Sequence, residues 1–323
     1  MRLTLGAFFL SLVAAPAAAS DITLQWPIDC SLGETCHIQQ YVDHDPGPGS
    51  EDYRCQQLSY SGHKGTDIAL PYLTDMRRGV AVRAAAPGVI KGVRDSMTDA
   101  YATKDTAENL KGRECGNGVV ISHEDGWETQ YCHLKRGSVQ VQKGQRVQAG
   151  TQLGEVGLSG KTQFPHLHLS LRHKGKVVDP FAPQGKKSCN AEPQGENLWA
   201  SPPAYEAGAF LGAGFSSYVP NFREIKSGDV KAVRLSDTAP ALVFWAYAFG
   251  GQKADRIRLS ISGPSGFFSV HEIALERNQA QFFRASGKRL RDDAWVQGTY
   301  EGVAVFMRGE EEVDRISRTI NVR

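Results

Sequence analysis

The sequence predicts an all-β protein that contains two β domains in series, and three observations support this. Short alternating apolar runs separated by glycine-containing turns fill the chain from about residue 63 to 182. A stretch rich in Pro, Gly and polar residues follows. Six or seven further alternating runs then occupy roughly the last 110 residues. We therefore expect a compact antiparallel β domain followed by an immunoglobulin-like β-sandwich.

Residues 1–20 have the features of an export signal. Arg2 precedes an apolar run that ends at Val13, and the small residues Ala17 and Ala19 have the spacing of a signal-peptidase site. The run is shorter than the about 20 apolar residues that a membrane span needs, and no later stretch is long or apolar enough. We expect a soluble, exported chain without a membrane span, in the periplasm or outside the cell.

The net charge and the cysteines bear on which functional classes of protein are possible. The formal net charge of +2 gives no electrostatic argument for binding nucleic acid or an anionic membrane surface. An even number of cysteines in an exported chain predicts disulfides, and the sequence does not choose among the pairings. Cys115 and Cys132 flank neighbouring predicted strands, which makes them one candidate pair. A zinc finger is disfavoured because no CxxC pair occurs. The cysteines are Cys30, Cys36, Cys55, Cys115, Cys132 and Cys189.

These features divide the chain into segments of different composition. The division is a signal peptide over 1–20, a disulfide-containing N-terminal extension over 21–62, the first β domain over 63–182, a linker over 183–208 and the C-terminal β-sandwich over 209–323. We expect the extension to be a disulfide-stapled flap beside the candidate site, because it leads directly into His63. The alternative is that Tyr53, Tyr60 and the acidic residues nearby contact the substrate.

Histidines and an aspartate in the first β domain have the pattern of a catalytic zinc site. Zinc in hydrolases usually takes three protein ligands and keeps a fourth position for water. His63, Asp67 and one of the pair His166 and His168 would supply three ligands, and two histidines would remain for proton transfer. Residues i and i+2 of a strand face the same side, so the pair projects into one groove. This arrangement is typical of a hydrolase.

The spacing of the first two candidate ligands requires a bend. In an extended strand, His63 and Asp67 would be about 13 Å apart at about 3.3 Å per residue, too far to share one ion. Gly65 lies midway and is the residue best able to take the required backbone angles.

Six short segments of the chain occur in the same order as the motifs of a known family. They are HKGTD at 63–67, APGV at 86–89, GNGVVISH at 116–123, YCHL at 131–134, the glycine-rich run at 141–160 and HLH at 166–168. Together they resemble the M23 zinc metallopeptidases of the lysostaphin or LytM type. The resemblance covers about residues 60 to 182 and leaves the N-terminal extension and the C-terminal half outside.

The resemblance implies a site, a fold and a substrate. One zinc ion would be held by His63, Asp67 and His168, while His133 and His166 would be the catalytic histidines that are not ligands. We prefer His133 as the general base. The fold would be a compact LytM-type β domain with a groove over the zinc. The substrate would be a peptide bond in the peptide stems or bridges of bacterial peptidoglycan.

Two other functional classes remain open at this stage. Some proteins of this fold have lost zinc ligands and act as non-catalytic regulators or activators of another cell-wall hydrolase, but all five positions are kept here. A related cytoplasmic fold transfers phosphoryl groups between paired histidines, and the export signal and predicted disulfides argue against it. We expect the C-terminal domain to be a spacer or a module for a protein partner, with wall binding as the less favoured role.

Overall fold

A computed structural model describes residues 22–185, 197–230 and 232–323. Strands dominate these ranges and the helices are short, which confirms the all-β prediction. The strands of the first half are β1 His37–Gln40, β2 Thr66–Ala69, β3 Ala81–Arg83, β4 Gly88–Arg94, β5 Asn117–Ser122, β6 Trp127–Leu134, β7 Arg146–Val147, β8 Gln152–Glu155, β9 His166–His173 and β10 Lys176–Val178. Those of the second half are β11 Ala209–Ser216, β12 Arg234–Leu235, β13 Ala241–Gly251, β14 Arg256–Ser262, β15 Phe268–Ala274, β16 Gln279–Arg289, β17 Gly298–Arg308 and β18 Glu311–Val322. The helices are α1 Leu73–Arg78, α2 Lys104–Ala107 and α3 Phe222–Ser227.

One antiparallel sheet carries His133, His166 and His168. Its strand order is β1-β2-β9-β6-β5-β4-β7, with β10 also paired to β9, and β3 pairs separately with β8. In β9, Leu167, Leu169 and Leu171 are fully buried in the hydrophobic core. They alternate with His166 and His168, so the apolar side chains face the core and the histidines face the opposite side.

Strands β5 and β6 form a β-hairpin. The two strands pair antiparallel, and the intervening Glu124–Gly126 forms a single 3-10 turn. Asp125 and Gly126 both have positive φ, and the His123 N–H donates to the Trp127 carbonyl at 2.9 Å. The His123 ring hydrogen-bonds to the Pro87 carbonyl and to the Thr129 hydroxyl, so this histidine has a structural role.

The N-terminal extension is part of the first core. Strand β1 pairs with β2 at the edge of the large sheet. Leu24, Ile38 and Tyr41 are buried in the same cluster as the leucines of β9. The extension therefore supports the strand that carries Asp67. The segment boundaries given above stay predictions, and the proposed signal peptide lies outside the described residues.

Two of the predicted disulfides are present. Cys30 bonds to Cys36, and Cys115 bonds to Cys132, which confirms the one pairing suggested by strand positions. Cys189 lies outside the described residues, so a disulfide to it stays a prediction.

No helix within the described ranges is long and apolar enough to cross a membrane.

The second half consists of two sheets that share a core. One has the order β11-β13-β16 and the other β12-β18-β17-β14-β15. Phe215 and Phe244 from the first sheet are buried in one cluster with Ile257, Leu259 and Phe306 from the second. Two sheets packed face to face are what a β-sandwich requires. The immunoglobulin-like topology stays a prediction.

The second half contacts the edge strand β1 through buried polar groups. The side chain of Gln39 is fully buried, and its amide nitrogen donates to the Ala280 carbonyl at 2.8 Å. Its amide oxygen accepts from Gln281 Nε2 at 2.9 Å. The ring of His37 lies 4.4 Å from the ring of Phe249, centroid to centroid. These contacts hold β16 and β13 against the sheet that carries the histidines.

We predict that the two disulfides contribute unequally to stability. Replacing Cys115 and Cys132 by serine should lower the free energy of unfolding by about 3 kcal/mol, and replacing Cys30 and Cys36 by about 2 kcal/mol, because the longer loop has more chain entropy to lose. The sequence separations are 17 and 6 residues. Urea unfolding of both double variants measures the difference. An equal or reversed order would contradict the loop-length argument.

Candidate metal centre

Three side chains from β2, β9 and the turn before β2 converge on one point. Asp67 Oδ1 lies 3.2 Å from His63 Nε2 and 2.7 Å from His168 Nδ1, and the two nitrogens are 3.2 Å apart. Asp67 and His168 are direct cross-strand partners in the antiparallel pair β2–β9. His63 and Asp67 are almost fully buried, and His168 is partly exposed.

The predicted bend between His63 and Asp67 is present and lies at Gly65. A separate turn before His63 uses the positive φ of Gly62, and the His63 N–H donates to the Tyr60 carbonyl at 2.9 Å. Gly65 has no positive φ. A Cβ there would lie 2.6 Å from the Leu169 carbonyl oxygen and 2.7 Å from the His168 ring. Glycine is therefore needed for close approach of the backbone to a candidate ligand.

Hydrogen bonds on the far side of each ring fix the histidine tautomers. His63 Nδ1 lies 2.7 Å from the Tyr41 carbonyl oxygen, which can only accept, so Nδ1 carries the proton. The Ser170 hydroxyl donates to the Lys64 carbonyl at 2.8 Å and so accepts from His168 Nε2 at 3.0 Å. The remaining ring nitrogens, His63 Nε2 and His168 Nδ1, carry lone pairs beside the Asp67 carboxylate.

This arrangement fits a zinc ion. Two lone pairs and a carboxylate oxygen with no proton between them repel one another unless a cation lies among them. Tetrahedral zinc with bonds of about 2.0–2.2 Å places its ligand atoms about 3.4 Å apart. The observed separations of 2.7–3.2 Å are close to that value. Histidine nitrogens whose other N–H is held by a carbonyl or hydroxyl are the usual zinc ligands, and three protein ligands leave one position open.

Electrostatics keep the candidate carboxylate ligand ionised. Burial would raise the pKa of Asp67, but positive charge on His63 and His166 outweighs burial and holds that pKa well below its usual range. Burial would lower the pKa of His63, but the adjacent Asp67 outweighs it and raises that pKa. Asp67 therefore favours the protonated, positively charged form of His63, and His63 favours the ionised form of Asp67. A bound metal cation would take the place of the proton on His63.

The two histidines that are not candidate ligands lie beside this cluster. The ring centroids of His133 and His166 are 4.6 Å apart, and His166 Nε2 is 3.5 Å from Asp67 Oδ1. His133 Nδ1 donates to the Ser159 carbonyl at 2.7 Å, and His166 Nδ1 donates to the Phe164 carbonyl at 2.9 Å. Each ring therefore keeps Nε2 as a proton acceptor. The structure thus brings all five predicted site residues together.

His133 is held in an unusual state. Burial, with the charges of His166 and His168, puts its pKa well below the usual range, so the ring is neutral at pH 7. Its φ is 62°, in the left-handed region that non-glycine residues rarely adopt. Its N–H donates to the Cys115 carbonyl at 2.8 Å, and the disulfide from Cys115 to Cys132 ties the same segments together. Strained backbone of this kind is concentrated at functional sites.

Sequence reasoning missed the groups that orient the histidines. The carbonyls of Tyr41, Ser159 and Phe164 carry no side-chain signal. Ser170 could have been found, because it lies two residues beyond His168 on the same face of β9.

The two tyrosines of the extension have different surroundings. Tyr53 is buried in an aromatic cluster with Tyr41, Phe181 and Tyr205, which removes it as a substrate contact. Tyr60 is half exposed, and its ring lies 4.4 Å from that of His63. Tyr60 alone of the pair remains a candidate contact.

Comparison with known proteins identifies the site-bearing segment. Residues 61–180 match peptidase family M23, a range that includes all five site positions. This segment is an M23 peptidase domain. The matched relatives are longer and diverse, and the chain spans about a fifth of the length of the first of them. The M23 domain is similar to the DD-carboxypeptidase/endopeptidase Mpg of Neisseria meningitidis serogroup B, at 36% identity over 122 residues, which is 37% of this chain and 22% of that protein.

Two further relatives show the range of roles within such proteins. The peptidoglycan DD-endopeptidase ShyA of Vibrio cholerae is 33% identical over 117 residues, which is 36% of this chain and 22% of that protein. The murein hydrolase activator NlpD of Salmonella dublin is 26% identical over 171 residues, which is 53% of this chain and 38% of that protein. Similarity to relatives with either role does not separate enzyme from activator, so the M23 domain's own residues must do so.

We predict that Ser170→Ala weakens zinc binding about 10- to 100-fold, because His168 Nε2–H loses the acceptor that fixes its tautomer. Calorimetric titration of metal-free protein with zinc measures the affinity, and the unaltered chain should bind one ion. Ser317→Ala, at an exposed hydroxyl of β18, is the matched control and should leave the affinity unchanged. Equal affinities for the two variants would disprove the tautomer argument.

We further predict that Gly65→Ala lowers zinc affinity at least about tenfold, because the added methyl must displace the His168 ring or the Leu169 carbonyl. Gly92→Ala is the control, since a Cβ there meets nothing within 4 Å. Titration with zinc, alongside thermal unfolding of both variants, separates a local effect from general instability. The idea fails if both variants bind zinc like the unaltered chain.

Proposed function

We propose that this protein is an exported, zinc-dependent metalloendopeptidase that hydrolyses peptide bonds in the cross-links or bridges of bacterial peptidoglycan. The observation that carries the proposal is the complete ligand set of His63, Asp67 and His168. The lone pairs of His63 Nε2 and His168 Nδ1 face the Asp67 carboxylate. His133 and His166 lie beside this cluster. A chain that only regulated another hydrolase would not need this set to be complete.

The chemistry follows from the protonation states. Zinc bound to such a set would supply a water of lowered pKa and would polarise the substrate carbonyl. The neutral His133 would accept a proton at Nε2 and later return it to the leaving amine, as a general base and acid does. His166, close to Asp67, would donate a hydrogen bond to the developing oxyanion when protonated.

Burial of the site supports the same assignment. Four of the five residues, all except His168, are less than a tenth exposed, so contact of the site with water is limited. In such surroundings, each hydrogen bond to a developing charge is stronger than it would be in water.

Export is supported by the disulfides and by the N-terminal sequence. Structural disulfides such as Cys30–Cys36 and Cys115–Cys132 persist in oxidising compartments. Peptidoglycan lies in such a compartment, so the proposed location and the proposed substrate are consistent.

The decisive experiment is mass spectrometry of fragments that the protein releases from purified peptidoglycan. Walls with direct cross-links and walls with glycine bridges should be tested separately, with and without a chelator. His133→Ala should slow release about 10²- to 10⁴-fold, and the chelator should abolish it. His271→Ala, at an exposed histidine of β15, is the matched control and should retain activity.

Each outcome of that experiment assigns a role. Cleaved peptide bonds that depend on metal and on His133 would establish the endopeptidase and identify its bond. A folded, zinc-loaded protein that releases nothing from any wall would instead indicate an activator, the role that the name of the Salmonella dublin relative states for that protein.

A further inference from the structure

A cavity of about 410 Å³ lies between the M23 domain and the C-terminal half. Gln163 and Phe164, in the loop before β9, form one wall. Helix α3 and the beginning of β16 form the other wall. The volume falls within the about 300–1,000 Å³ of pockets that hold small ligands. We call this space the junction cavity.

The junction cavity adjoins the candidate reaction site through Phe164. The Phe164 ring stacks on the His166 ring at 4.5 Å between centroids, and the Phe164 carbonyl accepts the hydrogen bond from His166 Nδ1. A substrate bound beside His166 would therefore have one end at the entrance to this cavity.

The described lining of the junction cavity is cationic. Lys226, Arg277 and Arg284 contribute to it, and no Asp or Glu is among the lining residues that the structure describes. Lys226 Nζ donates to the Gln163 carbonyl at 3.3 Å and lies over the rings of Tyr101 and Phe222. Within the described ranges it forms no ion pair with a carboxylate.

Two of these cations, Lys226 and Arg284, are partly desolvated. Arg284 donates to the Phe283 carbonyl at 2.8 Å and, like Lys226, has no ion pair in the part of the chain described. Burial lowers the pKa of both groups, with Arg223 adding to the effect at Lys226 and Glu276 opposing it at Arg284. A half-buried charge without a counter-ion is costly, and an anionic ligand would offset that cost.

The rest of the cavity suits a peptide. The rings of Phe222 and Phe283 are stacked 5.7 Å apart and give it an apolar surface. Gln163 and Gln281 supply amides that can both donate and accept hydrogen bonds. A short peptide with small apolar side chains and a free carboxylate combines the features that these groups recognise.

Charge on the opposite side of the site would fix the direction of such a ligand. A second cavity beside His63 is lined by Asp43, Asp45 and Asp179, of which Asp179 is paired with His44 at 2.7 Å. Lys64 is the only lysine or arginine in its described lining. A carboxylate would be repelled there and attracted at the junction cavity, so the two cavities favour one orientation of a charged substrate.

We propose that the junction cavity binds a free carboxylate of the substrate peptide, so that the C-terminal half helps to select the substrate. This inference rests on the proposed function and adds a substrate class to it. Lys226 and Arg284 form charge-assisted hydrogen bonds to the carboxylate, while the catalytic groups remain those of the M23 domain.

The test uses a peptide that the protein cleaves, compared with the same peptide after its free carboxylates are converted to primary amides. Amidation should raise KM about tenfold and leave kcat nearly unchanged, because the lost hydrogen bonds are remote from the reacting atoms. Lys226→Met should raise KM for the carboxylate peptide by a similar factor and leave the amide unaffected. Arg284→Met serves as a second variant should Lys226→Met not fold.

Lys288→Met is the matched control, because Lys288 is exposed at the far end of β16. It should cleave both peptides like the unaltered chain. A purely structural effect of Lys226 on the Gln163 loop would change both peptides equally or would lower kcat, and either result would overturn the inference while the proposed activity stands.

Absence of cleavage would count against the proposed function alone, because binding can be measured separately. The carboxylate peptide should bind to zinc-loaded His133→Ala protein about tenfold more tightly than the amide, as measured by calorimetry. Equal affinities would overturn the carboxylate site whatever the activity.

Discussion

The structure depends on one buried carboxylate oxygen that faces three imidazole rings. Asp67 Oδ1 lies 3.2 Å from His63 Nε2, 2.7 Å from His168 Nδ1 and 3.5 Å from His166 Nε2. In water such a cluster would separate, because its members are better hydrated than paired. Here the strands prevent separation, and a cation is the species that satisfies all of them. The site would therefore act as a preformed cage whose electrostatic cost a bound metal ion would offset.

The register of the central strands builds that cage. Asp67 faces His168 because β2 and β9 pair in one register, and a slip of one residue would turn the histidines into the core and the leucines out. Buried leucines on the other face of β9 make such a slip expensive. The buried leucines of β9 thus fix the positions of the histidines on its other face. The same strand therefore contributes to both the core and the site.

The fold class and the clustering of the five candidate site residues could be predicted from the sequence, because each leaves a local trace. Alternation at His166 and His168 defines a strand and its face, and the spacing from His63 to Asp67 implies a turn. The groups that orient the rings left no such trace, since Tyr41, Ser159 and Phe164 act through backbone carbonyls. The bend at Gly65 was predicted, but the need for a missing side chain there was not, because it depends on His168, about 100 residues away in sequence.

The role of the C-terminal half depends on contacts of the same long-range kind. Gln39 is fully buried, and its amide group bonds to Ala280, to Gln281 and to His37. A buried amide that loses its partners costs about 1–3 kcal/mol, so an undocked C-terminal half would leave the edge of the sheet that carries Asp67 both exposed and unsatisfied. A simple spacer would not need such contacts. Strand β1 pairs with β2, and β2 carries Asp67. Contacts of the C-terminal half with β1 therefore help to hold Asp67 in position.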